Sequence, residues 1–249
     1  MRLFGLIGYP LSHSFSKTYF TDKFKATGYN DCSYQNFEVT DIKALHDVML
    51  SNSNLLGLNI TIPYKTAILP LLDELDEEAA IIGAVNTIHR QSGLWKGYNT
   101  DAFGFQESLL PLLKSHHRRA LIIGTGGASR AVAFVLSKLN ISYIFISRTP
   151  DQTNAQVVGF NDVDHNMMTD HLLIINTTPL GMMPLTNNFP PIPYEYINKN
   201  HLVYDLIYNP QITIFLKHAL KHGASIKNGL QMLQLQADKA WNIWNPPIT

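Results

Sequence analysis

The chain has 249 residues, 19 of them basic and 19 acidic, so its formal net charge is zero. This length holds one large domain or two small ones with a substantial core, and balanced charge without a long run of one sign argues against a nucleic-acid partner. Its single cysteine, Cys32, excludes an internal disulfide; with no signal-like N-terminus and no apolar run of about 20 residues, a soluble, cytoplasmic protein without a membrane partner is expected.

Residues 2–7 read as a strand ended by Gly8, Tyr9 and Pro10, and 16–27 have helical spacing that stops at Gly28. A second strand is expected over 34–39, then a helix over 41–50 capped by Thr40 or Asp41. Residues 58–62, LNITI, alternate apolar and polar side chains and form a third strand. Pro63 stops it, because proline has no N–H to donate. Residues 67–72 and 77–81 read as short helical pieces, and 84–89 with 94–98 as a hairpin about Ser92-Gly93. A helix follows, with Thr100 or Asp101 near its cap. The cluster His116-His117-Arg118-Arg119 reads as a solvated turn. Beyond it, short apolar strands (120–123, 141–146, 172–176, 202–206) alternate with helices (129–139, 212–222), and a last amphipathic helix spans 229–244. Such alternation indicates a buried parallel sheet. The expected fold is α/β: an N-terminal mixed α/β unit, then a doubly wound, Rossmann-like unit, with the boundary near Asp101.

ALIIGTGGASRAV, residues 120–132, reads as strand, glycine turn and helix. Gly124 permits the tight turn and Gly126 lets a pyrophosphate approach the backbone, while the helix start presents N–H groups and a positive dipole end. The third position of the G-x-G-x-x-G pattern is Ser129, so the match is partial, and a plain strand–helix turn would look much the same. The next strand ends in Ser147, Arg148 and Thr149 rather than in a carboxylate, although Asp151 is close. An arginine there can pair with a 2′-phosphate and stack on adenine, which favours NADP over NAD.

Uncharged polar residues gather at strand ends: SHSFS (12–16), NITIPYK (59–65), GAVNT (83–87), GYNTD (97–101) and NTTPLGM (176–182). Each alone is ordinary turn chemistry. Together they suit a ligand with several hydroxyls and a carboxylate, since each hydroxyl leaving water needs a partner. Lys65 and Asp101 both follow apparent strand ends. In a cleft beside a nicotinamide, such a pair suits a carbonyl substrate: the ammonium stabilises the alkoxide made by hydride attack and supplies its proton. A solvated loop lysine and a helix N-cap aspartate are the plainer readings of the two residues.

IGYPLSHSFS, LNITIPYK, GAVNT, GYNTD, GTGGAS, SRT, NTTPLGM, YDLIYNP and GLQMLQLQA follow one another over almost the whole chain. In this order they resemble the shikimate dehydrogenase family of the aromatic amino-acid pathway. The resemblance implies a substrate domain over 1–100 completed by the C-terminal helix 229–249, and an NADP-binding domain over 101–228. It implies reversible hydride transfer between NADPH and the 3-keto group of 3-dehydroshikimate. Lys65 and Asp101 would be the catalytic pair. Ser14 and Ser16 would hold the substrate carboxylate, and Asn59, Thr61, Asn86 and Gln236 would meet the hydroxyls or the carboxylate end, with Tyr208 closing the substrate side. Gly124, Gly126, Gly127 and Ala128 would form the pyrophosphate loop, and Ser147, Arg148 and Thr149 would face the adenosine 2′-phosphate. Thr177, Leu180, Met182 and Gly229 would lie near the ribose or nicotinamide. No metal is implied, and the protein would be a monomer or homodimer whose two domains close on their ligands. The family's usual asparagine before Arg148 is Ser147 here, a second basic residue is missing after Thr149, and Lys17 replaces a proline in the serine loop. A quinate/shikimate dehydrogenase able to use NAD is therefore the alternative, and a non-catalytic nucleotide-binding module on the same fold a further one.

Overall fold

The computed structural model describes residues 1–11, 14–150, 153 and 156–246. Asp151, part of the 12–16 segment and the end of the last helix as expected (247–249) lie outside them. The chain divides into two compact units, Met1–Thr100 with the chain from Ala237 onward, and Asp101–Gln236.

The first unit is built on a six-stranded mixed sheet. Its elements are β1 (Arg2–Gly8), α1 (Phe15–Thr27), β2 (Cys32–Glu38), α2 (Ile42–Ser51), β3 (Leu55–Ile60), β4 (Glu74–Leu75), α3 (Glu77–Ile82), β5 (Thr87–Gln91) and β6 (Leu94–Tyr98). The strand order is β2-β1-β3-β5-β6-β4. β1 pairs parallel with β2 and β3, and β5 antiparallel with β3 and β6. Local chemistry sets the ends. Asp41 caps α2 by accepting from Lys43 N at 3.0 Å, and α1 stops at Gly28, which takes φ 75° as few side chains could. Ser92 and Gly93 both have positive φ, the condition for a tight hairpin turn that matches strand twist. One face of the sheet buries Leu58, Ile60, Ile68, Ile88 and Trp95. The other packs Phe4, Phe20 and Phe24 against Trp241 and Trp244 of the last helix. A Cβ on Gly57 would stand 2.3 Å from Trp244 Nε1, so only glycine lets that indole reach Ile88 O, its acceptor at 2.9 Å.

The second unit contains α4 (Thr100–Leu109) from Asp101 on, β7 (Arg119–Ile123), α5 (Gly127–Lys138), β8 (Ser142–Ser147), β9 (Val157–Gly159), α6 (His165–Asp170), β10 (Leu173–Asn176), β11 (Leu202–Asp205), α7 (Ile214–Lys221), β12 (Ser225–Lys227) and the first half of α8 (Leu230–Trp244), whose residues from Ala237 on belong to the first unit. Its six strands are all parallel, in the order β12-β11-β10-β7-β8-β9. Counted from β7 this is the doubly wound order, which reverses between β7 and β10. The central strands β7 and β10 are apolar because helices cover both faces: Leu121, Ile122, Ile123, Ile174 and Ile175 are fully buried.

Two expected elements are corrected. The hairpin begins at Thr87 rather than Ala84, because Val85 N bonds to Lys65 O at 2.7 Å and draws the preceding residues off the ladder. The helical piece over 67–72 is a single 3-10 turn, Leu69–Leu71, around Pro70, whose missing N–H cannot continue a helix. β4, β9, α6 and β12 have no counterpart in the sequence reading.

Candidate active site

In the first unit the polar residues singled out in the sequence meet in a buried ladder. Asn59, at the end of β3, donates from Nδ2 to Thr87 Oγ1 at 3.1 Å. Thr87 Oγ1 lies 3.3 Å from Asn86 Oδ1 and 3.2 Å from Thr100 Oγ1. Asn86 Nδ2 donates to Thr100 Oγ1 at 2.9 Å, and Asn86 Oδ1 accepts from Thr100 N at 2.7 Å. All four residues are at most 4% exposed. An unpartnered amide or hydroxyl at that depth costs about 1–3 kcal/mol, so the mutual bonding is what makes so polar a patch tolerable. Tyr34 joins the ladder by donating to Asn59 Oδ1 at 2.8 Å.

Ser14 occupies the N-cap position of α1 but does not cap it. Its Oγ is buried without a hydrogen-bond partner, and a carboxylate oxygen at a helix start would satisfy it. Thr61 follows β3, its backbone N bonded to Ile7 O at 2.9 Å, and its methyl presses on Gly8, where a Cβ would come within 2.3 Å. Lys65 is half-buried and its carbonyl accepts from Val85 N.

In the second unit the loops leaving β7 and β10 diverge where the strand order reverses, the place at which doubly wound sheets receive ligands. Gly124 has φ 106°, and a Cβ there would lie 2.8 Å from Thr177 Oγ1 and 2.9 Å from Thr178 Cγ2. Gly126 is the N-cap of α5; no side chain caps that helix, and nothing lies within 4 Å of where its Cβ would be. Gly127 and Ala128 form the first turn, which carries no acidic residue. Open space, positive helix end and absent carboxylates fit a pyrophosphate. Ser147, which ends β8, accepts from Thr149 N at 3.2 Å. Arg148 is exposed and, with Ser147, Pro150, Val157, Gly159 and Asp162, lines a depression of about 680 Å³.

The segment after β10 is held from below. Thr177 Oγ1 donates to Ile123 O at 2.7 Å. Asn176 Oδ1 accepts from Thr178 N and Oγ1, and its Nδ2 donates to Asp205 Oδ1 at 3.0 Å. Asp205 is fully buried and also accepts from Thr213 Oγ1 at 2.6 Å and Ile207 N at 3.1 Å. Burial nevertheless lifts its pKa to about 6. Leu180 is half-buried and Met182 exposed. Gly229 backs directly onto β11's exit: a Cβ would meet Leu206 O at 1.9 Å. Tyr208 is half-buried, and burial raises its pKa. Asp101, 5% exposed, stands in the first turn of α4. Further along that helix, a Cβ on Gly104 would come within 2.6 Å of Met232 O and 3.1 Å of Gln236 Cβ. Gln236 is buried, with Nε2 bonded to Leu233 O at 2.9 Å.

Tyr34, Thr87, Thr100, Asn176 and Asp205 were not singled out as site residues. Thr87, Thr100 and Asn176 lie inside the segments that were, whereas a strand tyrosine reads as core; the usable signal is that a buried phenol requires a hydrogen-bond partner. Among the described residues no helix is long and apolar enough to cross a membrane. None of them forms a group of three or more His, Cys, Asp or Glu able to hold a metal ion.

Residues 6–88 match the shikimate dehydrogenase substrate binding domain. The shikimate dehydrogenase (NADP(+)) of Methanosphaera stadtmanae is 40% identical over 256 residues, covering 96% of this chain and 90% of that protein. Among solved structures, shikimate 5-dehydrogenase from Thermus thermophilus in complex with NADP(H) and shikimate superposes with a TM-score of 0.87 at 31% identity, covering 100% of this chain and 95% of the other. Quinate dehydrogenase from Corynebacterium glutamicum in complex with NAD gives a TM-score of 0.85 at 30% identity, covering 99% and 94%. With 40% identity across nearly the full length of both chains, the protein belongs to the shikimate dehydrogenase family.

Proposed function

We propose that this chain catalyses the reversible, NADPH-dependent reduction of 3-dehydroshikimate to shikimate. The observation that carries the reading is the buried ladder of Asn59, Asn86, Thr87 and Thr100 in the unit that matches a substrate-binding domain, with the unpartnered Ser14 hydroxyl in the same unit. Neutral donors and acceptors at that depth suit a ring bearing several hydroxyls, and Ser14 with Ser16 suits its carboxylate. Asn59, Thr61 and Asn86 meet the remaining polar groups, and Gln236 and Tyr208 are further substrate residues of the proposal.

NADPH supplies the hydride. Lys65 holds the ketone oxygen by hydrogen bonding and gives it a proton as negative charge develops there; in the reverse direction it takes that proton back. Asp101 is the second member of the catalytic pair. Gly124, Gly126, Gly127 and Ala128 leave room for the pyrophosphate. Arg148 binds the 2′-phosphate with Ser147 and Thr149 beside it, and Thr177, Leu180, Met182 and Gly229 line the ribose and nicotinamide end.

The test is initial rates of cofactor reduction with shikimate or quinate, each with NADP+ or NAD+. Shikimate with NADP+ is expected to be fastest; absence of turnover in all four combinations refutes the proposal. A second reading, a quinate/shikimate dehydrogenase using NAD, is favoured by Ser147 and by the lone basic residue in the 147–149 segment. It requires measurable quinate oxidation in the same experiment.

A further inference from the structure

The ladder of amides and hydroxyls in the first unit takes its direction from partners of fixed role: Thr100 N at the Asn86 end, and Tyr34 at 2.8 Å with Asn86 O at 3.5 Å at the Asn59 end. A primary amide can turn either its oxygen or its nitrogen to a hydroxyl, and a hydroxyl can donate or accept. At the Asn59 end Tyr34 is the closer of these partners. Its side chain is 4% exposed, and its ring stacks on Phe20 with centroids 4.6 Å apart and planes 12° from parallel, so the phenol oxygen has one place to be. That oxygen carries a single proton, which goes to Asn59 Oδ1 at 2.8 Å. With Oδ1 turned to Tyr34, Asn59 presents Nδ2 to Thr87 Oγ1 at 3.1 Å. Thr87, having accepted, passes its own proton to Asn86 Oδ1 or Thr100 Oγ1. Asn86 cannot flip in response, because Oδ1 takes the backbone N–H of Thr100 at 2.7 Å.

We propose that Tyr34 is a positioning residue for substrate: its phenol locks the Asn59 amide into one donor–acceptor arrangement, so that the hydroxyl-binding strand ends act as a single unit. The proposal rests on the substrate reading above, in which Asn59 touches the ligand. Tyr34 does not; it acts through that amide.

Tyr34→Phe removes one oxygen and keeps the stacked ring. KM for shikimate is expected to rise about tenfold, roughly the effect of one lost hydrogen bond, while KM for NADP+ stays within about twofold. A role confined to stability would lower the melting temperature and leave the KM of the folded enzyme unchanged. The double variant Tyr34→Phe/Asn59→Ala is expected to be no worse in shikimate KM than Asn59→Ala alone, because the phenol works through that amide. An unchanged shikimate KM in Tyr34→Phe, or effects that multiply in the double variant, overturns the inference while leaving the proposed activity intact. If the unaltered enzyme fails to oxidise shikimate, the activity falls and the inference with it. Should Tyr34→Phe not fold, side-chain amide exchange in the unaltered protein decides. Slow exchange of the Asn59 Nδ2 protons supports a locked amide, and exchange at the rate of a solvent-exposed asparagine overturns it.

Discussion

Replacing Asp205 by asparagine separates the charge of this buried group from its shape. The carboxylate accepts from Asn176 Nδ2, Thr213 Oγ1 and Ile207 N, yet burial outweighs these donors and lifts its pKa from 3.8 to about 6. A carboxyl whose folded pKa is raised holds its proton more tightly when folded. Its contribution to stability is therefore full below the unfolded pKa and lost as pH climbs through about 6. For that shift, linkage gives a gain of about 1.4 kcal/mol on going from pH 8 to pH 5. Tyr194, raised chiefly by burial and then by Asp205, stays protonated throughout and adds nothing in this window. An asparagine does not titrate, so every other ionisable group cancels in the comparison. At pH 8 the variant is expected to be less stable by about 1–3 kcal/mol, because its NH2 must face at least one of the three donors. At pH 5 the gap is expected to widen by about 1.4 kcal/mol in favour of the unaltered protein. Urea unfolding followed by far-ultraviolet circular dichroism reads this; the three tryptophans, Trp95, Trp241 and Trp244, all lie in the other unit and would miss it. A gap that is constant with pH, or that narrows on acidification, refutes the assignment of a raised pKa to Asp205.

The two glycines of the nucleotide turn should respond differently. Gly124→Ala forces φ 106° on a side chain pressed against Thr177 and Thr178, and is expected to cost about 1–3 kcal/mol of stability as well as cofactor affinity. Gly126 has φ −82° and open space at its Cβ, so Gly126→Ala should leave stability within about 0.5 kcal/mol while raising KM for NADPH several-fold; comparing unfolding with kinetics for the pair checks both. Arg148→Ala removes a charge-assisted contact worth about 1.5–3 kcal/mol, so the ratio of kcat/KM for NADP+ over NAD+ should fall at least tenfold. An unchanged ratio would place 2′-phosphate recognition elsewhere.

The sheet of the second unit was legible because its central strands are covered on both faces and read as uninterrupted apolar runs, Leu121 to Ile123 and Leu173 to Ile175. β9 and β12, three residues each, are too short to show a period. Asp164 does cap α6, accepting from Met167 N at 2.8 Å, but with only one turn of helix behind it that signal could not be told from an ordinary turn. The start of β5 was misplaced because what ends the ladder is a bond from Val85 to the distant Lys65 carbonyl, invisible to local pattern. At the candidate site, the polar segments stood out because five of them gather at strand ends, although each alone is ordinary turn chemistry. Their mutual bonding did not, since it depends on which strands become neighbours: Asn59 and Thr87 face each other only because β3 and β5 pair in that register. Tyr34 and Asp205 remained hidden for the same reason, their importance lying in what they hold.

The central claim is that Lys65 delivers the proton while other residues bind the substrate. Lys65→Ala measured by single-turnover reduction of 3-dehydroshikimate, alongside calorimetric binding of shikimate, tests it most directly. A fall in rate of at least about a hundredfold with shikimate affinity held within a few-fold is the expected result. Turnover near that of the unaltered enzyme, or a loss of rate explained wholly by lost binding, would contradict it.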